Sequence, residues 1–139
     1  MKAYTFLYRL SYWYKNQTTW CWSIPKFREA YEAFFTKCIE KYPDTVFSVC
    51  SLPPYDLETD YEYLESRGFL RNQRVNEVNA LLCELCRKYG MKFINAAPLL
   101  KNPENGYCRE EYLISDNFHL TKEGCSIVLE YIKSHMDWQ

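Results

Sequence analysis

RVNEVNALLCELCRKYGMKFINA, residues 74–96, is the stretch whose reading decides the fold. It belongs to a longer run, 71–89, in which Val75, Val78, Asn79, Leu82, Leu85, Cys86 and Tyr89 recur at helical spacing. Three- and four-residue intervals put such positions on one face of an α-helix. Gly90 stands where a C-cap is expected, because glycine enters the left-handed conformation without a Cβ clash. MKFINA then reads as a short strand. Upstream, VFSVCSL (46–52) is another short apolar strand, ended by Pro53 and Pro54. Strands alternating with helices imply a parallel sheet covered by helices.

Working outward, AYTFLYRLSY (3–12) is dense in aromatic and β-favouring residues and predicts a buried strand. WYKNQTTWCW (13–22) is a polar, aromatic loop. Ser23 can cap a helix over 24–41, with Pro25 in its first turn. Phe27, Tyr31, Phe34, Phe35, Cys38 and Ile39 give that helix one broad apolar face. Residues 55–70 are acidic and tyrosine-rich without clear periodicity, which predicts an irregular segment. Its carboxylates Asp56, Glu58, Asp60 and Glu62 read as a solvated loop, or as an edge strand alternating with Leu57, Thr59, Tyr61 and Tyr63. PLLKNPENGYCREEYL (98–113) is a loop with turn chemistry at Asn102-Pro103 and Asn105-Gly106. Thr121 caps a last helix expected to bury Cys125, Val128, Leu129 and Ile132. The predicted order is β-α-β-α-β-loop-α, a single three-layer α/β domain over residues 1–139.

The chain's 139 residues suffice for one domain with one core. Hydrophobic residues are 47% and charged residues 25%, an ordinary globular balance. With a net charge of −1 and no basic stripe, nucleic-acid binding has little electrostatic support. No segment is apolar for long enough to span a bilayer, and MKAYTFLYRL, interrupted by Arg9, lacks the pattern of a signal peptide. The seven cysteines are odd in number and scattered through predicted elements, which fits reduced, mostly buried thiols and a cytoplasmic setting. Cys83 and Cys86 form C-x-x-C inside a helix, away from the helix N-terminus that lowers a thiol pKa, so core packing is the expectation. Nothing in the spacing converges Cys83, Cys86, Cys108 and His119 on a zinc ion. His135 stands near a helix C-terminus, where a cation suits the dipole. Trp13, Trp20 and Trp22 can line a sugar-binding wall or cover a sheet end.

SDNFHLTKEG (115–124) carries the chemistry. Asp116 and His119 are three residues apart in a loop after the last strand. Ligands of α/β sheets bind beyond the carboxyl ends of the strands. A carboxylate there can hold one imidazole nitrogen and leave the other to accept a nucleophile's proton. The same spacing also suits a structural aspartate beside a solvent-facing histidine.

The block DNFHLTKEGCSIVLEYI resembles the closing Asp-x-x-His element of SGNH/GDSL hydrolases. KYPDTVFSVCSLPP resembles that family's central strand, and RVNEVNALLCELCRKYGMKFINA its following helix and strand. The resemblance covers roughly residues 24–135. It implies a flavodoxin-like α/β/α sheet and an esterase without metal or organic cofactor. His119 would be the general base and Asp116 its orienting partner. The substrate would be a small acyl ester, an O-acetyl on a glycan being the instance in view. The family's Gly-Asp-Ser, Gly and Gly-x-Asn-Asp blocks are absent as such. One alignment puts YWYKN (12–16), with Asn16, in place of the oxyanion block and the nucleophile strand before residue 1. Another makes Ser11 the nucleophile, with Arg9 and Leu10 where Gly and Asp stand in the family. Ser51 ends a strand, but not the nucleophile's. The competing expectation is a fold that lost its nucleophile and serves as a binding module, with self-association or a partner at an exposed sheet edge.

Overall fold

A computed structural model describes residues 23–67, 70–115 and 119–136. Helix α1 (Ile24–Lys41) leads to strand β1 (Ser48–Cys50), then to helices α2 (Leu57–Arg67) and α3 (Arg71–Tyr89). Strand β2 (Lys92–Ile94) follows, then two 3-10 turns, Ala97–Leu100 and Glu110–Tyr112, and helix α4 (Lys122–His135). The two strands pair in parallel, Ser48 with Lys92, Val49 with Phe93 and Cys50 with Ile94. The described chain is therefore a mixed α/β fold whose parallel pair is joined by a helical crossover. The predicted 3–12 strand lies outside the described residues.

Helix α3 is the centre of the core. Val75, Val78, Leu82, Leu85 and Cys86 are buried, as is Leu81 beside them, and Leu85 has no accessible surface. Gly90 closes the helix at φ 67°, its N–H bonded to the Cys86 carbonyl. Phe35 of α1, Met91 and the register partners Val49 and Phe93 join the same cluster. Paired residues project to one face of a sheet, so that face receives both helices. Charged pairs flank the apolar seam. Arg28 donates two hydrogen bonds of 2.7 Å to Glu84, and Lys88 donates to Glu32 at 2.8 Å. The second pair lies one turn further along both helices, so α1 and α3 run in the same direction, as helices on one face of a parallel sheet do. Hydrogen bonding from Arg28 holds the Glu84 carboxyl below its usual range against the opposing pull of partial burial.

Several expectations are corrected. Ser23 occupies the α1 N-cap, but its side chain makes no capping bond. Only part of the broad apolar face is used, since Phe34 is 59% exposed. Residues 57–67 form a helix rather than an irregular segment or edge strand. At its start Asp56, Thr59 and Asp60, spaced i, i+3, i+4, are buried, and all three are polar. A search for apolar periodicity cannot see a helix whose inward side carries carboxylates. Helix α4 turns Gly124, Ile127 and Val128 inward, while Cys125 is exposed and Leu129 is 51% exposed. The expected face was displaced by one residue, about 100° of helix rotation.

Candidate active site

Five polar side chains organise the segment leaving β1. Asn79 of α3 accepts from the Leu52 N–H at 2.8 Å and donates to the Leu52 carbonyl at 3.0 Å. Asn72, two turns earlier, does the same to Tyr55, at 2.8 and 3.0 Å. Each primary amide imitates a backbone partner, so a segment without sheet or helix is still paired. Asp60 accepts from the Asn72 N–H at 2.8 Å and so caps α3, whose own N-cap residue, Leu70, has no side chain able to do it. Asp56 likewise opens α2, accepting from the Thr59 N–H and hydroxyl, both at 2.7 Å. Ser51 is buried at the end of β1, where its hydroxyl oxygen accepts from the Ala97 N–H at 2.9 Å. That bond ties the carboxyl ends of the two strands together and is a structural use of the serine.

Beyond β2 the chain folds into a braced turn. The Asn102 N–H donates to the Tyr107 carbonyl and the Gly106 N–H to the Asn102 carbonyl, both at 2.8 Å. Gly106 takes φ 76°, a left-handed value that suits glycine. The Asn102 and Asn105 side chains accept from Glu104 N–H and Tyr107 N–H. Lys101 bridges Cys108, and Cys108 N–H reaches the Tyr55 carbonyl at 2.9 Å, which joins this turn to the Asn72-held segment. Burial, with the Asp56 and Glu111 carboxylates next, pushes the Cys108 thiol up to about 11. Burial likewise raises the Cys50 thiol. Burial, then the neighbouring Cys83, raises Cys86.

His119 stands on the returning arm of a small hairpin. Leu113 and Leu120 form an antiparallel bridge, and the His119 carbonyl accepts from the Ile114 N–H at 3.0 Å. Two residues later, Thr121 N–H donates to the Tyr112 carbonyl at 2.8 Å, and its hydroxyl accepts from Gly124 N–H at 3.2 Å. Thr121 is thus the cap expected for α4. Gly124 allows the helix to come close. A Cβ there would meet the Tyr112 carbonyl oxygen at 3.0 Å and the Tyr112 Cβ at 3.2 Å. Thus the spacing from His119 to Gly124 has a packing reason of its own. The hairpin and α4 enclose a second apolar cluster of Leu100, Cys108, Tyr112 and Leu113, with Ile127 and Val128 against it.

His119 itself is exposed. Asp116 and Ser11 lie outside the described residues, as do Asn16, Trp13, Trp20 and Trp22. His135, the last residue of α4, has Nδ1 2.8 Å from the Tyr131 carbonyl oxygen. Among the described residues no three His, Cys, Asp or Glu side chains are grouped to hold a metal ion. Cys38, Cys50, Cys83, Cys86, Cys108 and Cys125 are unpaired thiols, and Cys125 is exposed rather than buried. No helix among the described residues is long and apolar enough to cross a membrane. Sequence reasoning counted Asn79 with the helical face and read Asp56 and Asp60 as solvated, so it missed their clamping and capping roles, and it missed Asn72 altogether. The available signal was helical spacing of the polar residues themselves.

A polar cleft of about 750 Å³ opens between the start of α2 and the 102–111 segment. Leu113 forms part of its wall, so the hairpin strand beside the His119 arm also borders the cleft.

No protein-family model matches the chain, and neither does any curated protein sequence. Solved structures do match in fold. One, a candidate platelet activating factor from Streptococcus pneumonia, has a TM-score of 0.68 at 20% identity, covering 81% of this chain and 51% of that one. Another, the esterase domain of the ORF1 protein of the zebrafish ZfL2-1 retrotransposon, has a TM-score of 0.63 at 15% identity, covering 81% of this chain and 58% of that one. The described chain therefore has an α/β fold of the kind found in an esterase domain. It spans a little over half the length of the structures it matches.

Proposed function

We propose that this chain carries the Asp-His half of an SGNH/GDSL-type ester hydrolase, acting on a small acyl ester such as an O-acetyl group on a glycan. The fold is read as a three-layer α/β/α arrangement of the flavodoxin-like kind. The observation that carries the reading is the anchoring of His119. It sits on a hairpin bonded to the second 3-10 turn, two residues before a Thr-capped helix, in a chain of esterase-like fold.

In this reading the Asp116 carboxylate accepts from one imidazole nitrogen of His119, and the other nitrogen takes the proton of a serine hydroxyl. The serine oxygen bonds to the acyl carbon, and the alcohol leaves with the proton from His119. Water, deprotonated by the same nitrogen, then bonds to the acyl carbon, and the serine oxygen leaves as the acid is released, taking the proton back from His119. Ser11 is the candidate nucleophile within the chain. The recognised Gly and Asn donors of an oxyanion hole are absent from the sequence, so turnover is expected to be slow.

An aryl-acetate assay on the wild type, His119→Ala and Ser11→Ala tests the reading, together with labelling by a fluorophosphonate probe. Slow hydrolysis that His119→Ala lowers by about two orders of magnitude or more supports it. Loss in Ser11→Ala as well assigns the nucleophile. Hydrolysis unchanged in His119→Ala, or no hydrolysis and no labelling, refutes the esterase reading and favours a binding module.

A further inference from the structure

The cleft beside the His119 hairpin has a composition that selects among ligands. One wall is the first turn of α2, with Glu58. The other is the braced 102–111 segment, with Glu104, Glu110 and Glu111. The cleft's lining holds four glutamates against one guanidinium, Arg109, which lies 3.9 Å from Glu111 and donates to the Lys101 carbonyl at 3.4 Å. Asp56 contributes no free carboxylate, since both its oxygens serve Thr59. The side-chain oxygens of Asn102 and Asn105 accept backbone N–H groups, which leaves each amide's two N–H donors available to a ligand.

We propose that this cleft is a subsite for an uncharged saccharide, the alcohol portion of the ester. This rests on the ester-hydrolase reading above and adds where the alcohol sits and which alcohols are refused. The lining offers carboxylate acceptors and amide donors side by side. A sugar hydroxyl both donates and accepts, so it uses both sets at once. An anionic ligand, phosphorylated or carboxylated, meets four glutamates that the one guanidinium does not offset. A metal ion needs converging ligands, and among the described residues no such group exists. A small organic cation would leave the amide donors unused. The volume, about 750 Å³, lies within the range of small-molecule sites and suits one or two sugar rings. The 102–107 turn is braced by four backbone-directed hydrogen bonds and Tyr107 borders the cleft, so little ordering is required on binding.

The test uses the full chain and reads binding, not turnover. Neutral mono- and disaccharides differing at C2 and C4 are titrated while backbone amide shifts are followed, with glucuronate and glucose 6-phosphate as anionic counterparts and putrescine as the cation. The expected result is saturable shifts confined to residues 56–58 and 102–111 for at least one neutral sugar, and affinity about tenfold or more weaker for its anionic counterpart at low salt. Glu58→Gln with Glu110→Gln, both exposed and isosteric, should shrink that difference while leaving the fold's spectrum intact. Absence of saturable shifts with every neutral sugar overturns the proposal. So does equal or tighter binding of an anionic sugar or of putrescine. Binding without hydrolysis removes the esterase reading and keeps the subsite, while hydrolysis of aryl acetate without sugar binding does the reverse.

Discussion

Asn72→Ala tests whether the segment leaving β1 is held by side chains of α3 rather than by its own packing. The substitution removes two hydrogen bonds, from Tyr55 N–H at 2.8 Å and to the Tyr55 carbonyl at 3.0 Å. The carbonyl keeps a second partner in the Cys108 N–H, so the larger loss is the bond that the Tyr55 N–H makes to Asn72. At ~0.5–1.5 kcal/mol per net hydrogen bond, the direct loss is about 2 kcal/mol. Alanine's better helix propensity returns about 0.5 kcal/mol. The expected net destabilisation is therefore ~1–2 kcal/mol, read by urea denaturation with circular dichroism as a midpoint shift of about 0.5–1 M. Asn76→Ala is the internal control. It lies on the same helix, is exposed, and has only a 3.4 Å contact with Lys101 Nζ, so its stability should stay within ~0.5 kcal/mol of the wild type. Hydrogen exchange should show faster opening of residues 52–58 in Asn72→Ala and not in Asn76→Ala. Equal stability of Asn72→Ala and wild type, or equal losses in the two variants, would refute the clamp.

Other outcomes follow from the same contacts. Gly124→Val should destabilise by ~1–3 kcal/mol in thermal melts, because its side chain would enter the 3.0–3.2 Å approach to Tyr112. Leu85→Ala, at a position with no accessible surface, should cost ~2–5 kcal/mol by the same measurement. Peptide-resolved iodoacetamide labelling at neutral pH should modify exposed Cys125 readily and spare Cys108, whose thiol is buried and raised to about 11. A thiol whose folded pKa is raised favours the protonated form in the native state. The Cys108 contribution to stability is therefore intact below pH 9, the ordinary thiol value, and is lost as pH rises toward about 11. Cys108→Ala should flatten that alkaline decline, and an unchanged pH profile would assign the decline to other groups.

The sequence by itself determined the elements whose inward face is apolar. Helix α3 was legible to the residue because Val75, Val78, Leu82, Leu85 and Cys86 mark its face and Gly90 its end. The parallel strand pair followed from short apolar runs separated by helix, and Thr121 announced α4 by its capping chemistry. Tertiary structure alone decided the rest. Residues 55–67 carry alternating carboxylates that look solvated, yet Asp56 and Asp60 are 6% and 1% exposed. Their burial is tolerable because backbone N–H groups at two helix starts, supplied by the fold, meet them. Glycine has no side chain to mark a face, so only the packed structure could show Gly124 as the point where α4 meets the hairpin and turns Leu129 outward. The cleft brings Glu58 beside Glu110, more than 50 residues later in the chain. Such a meeting is written in the sheet register and the Asn72 clamp rather than in any local pattern, because long-range contact depends on how elements pack and not on what each one is.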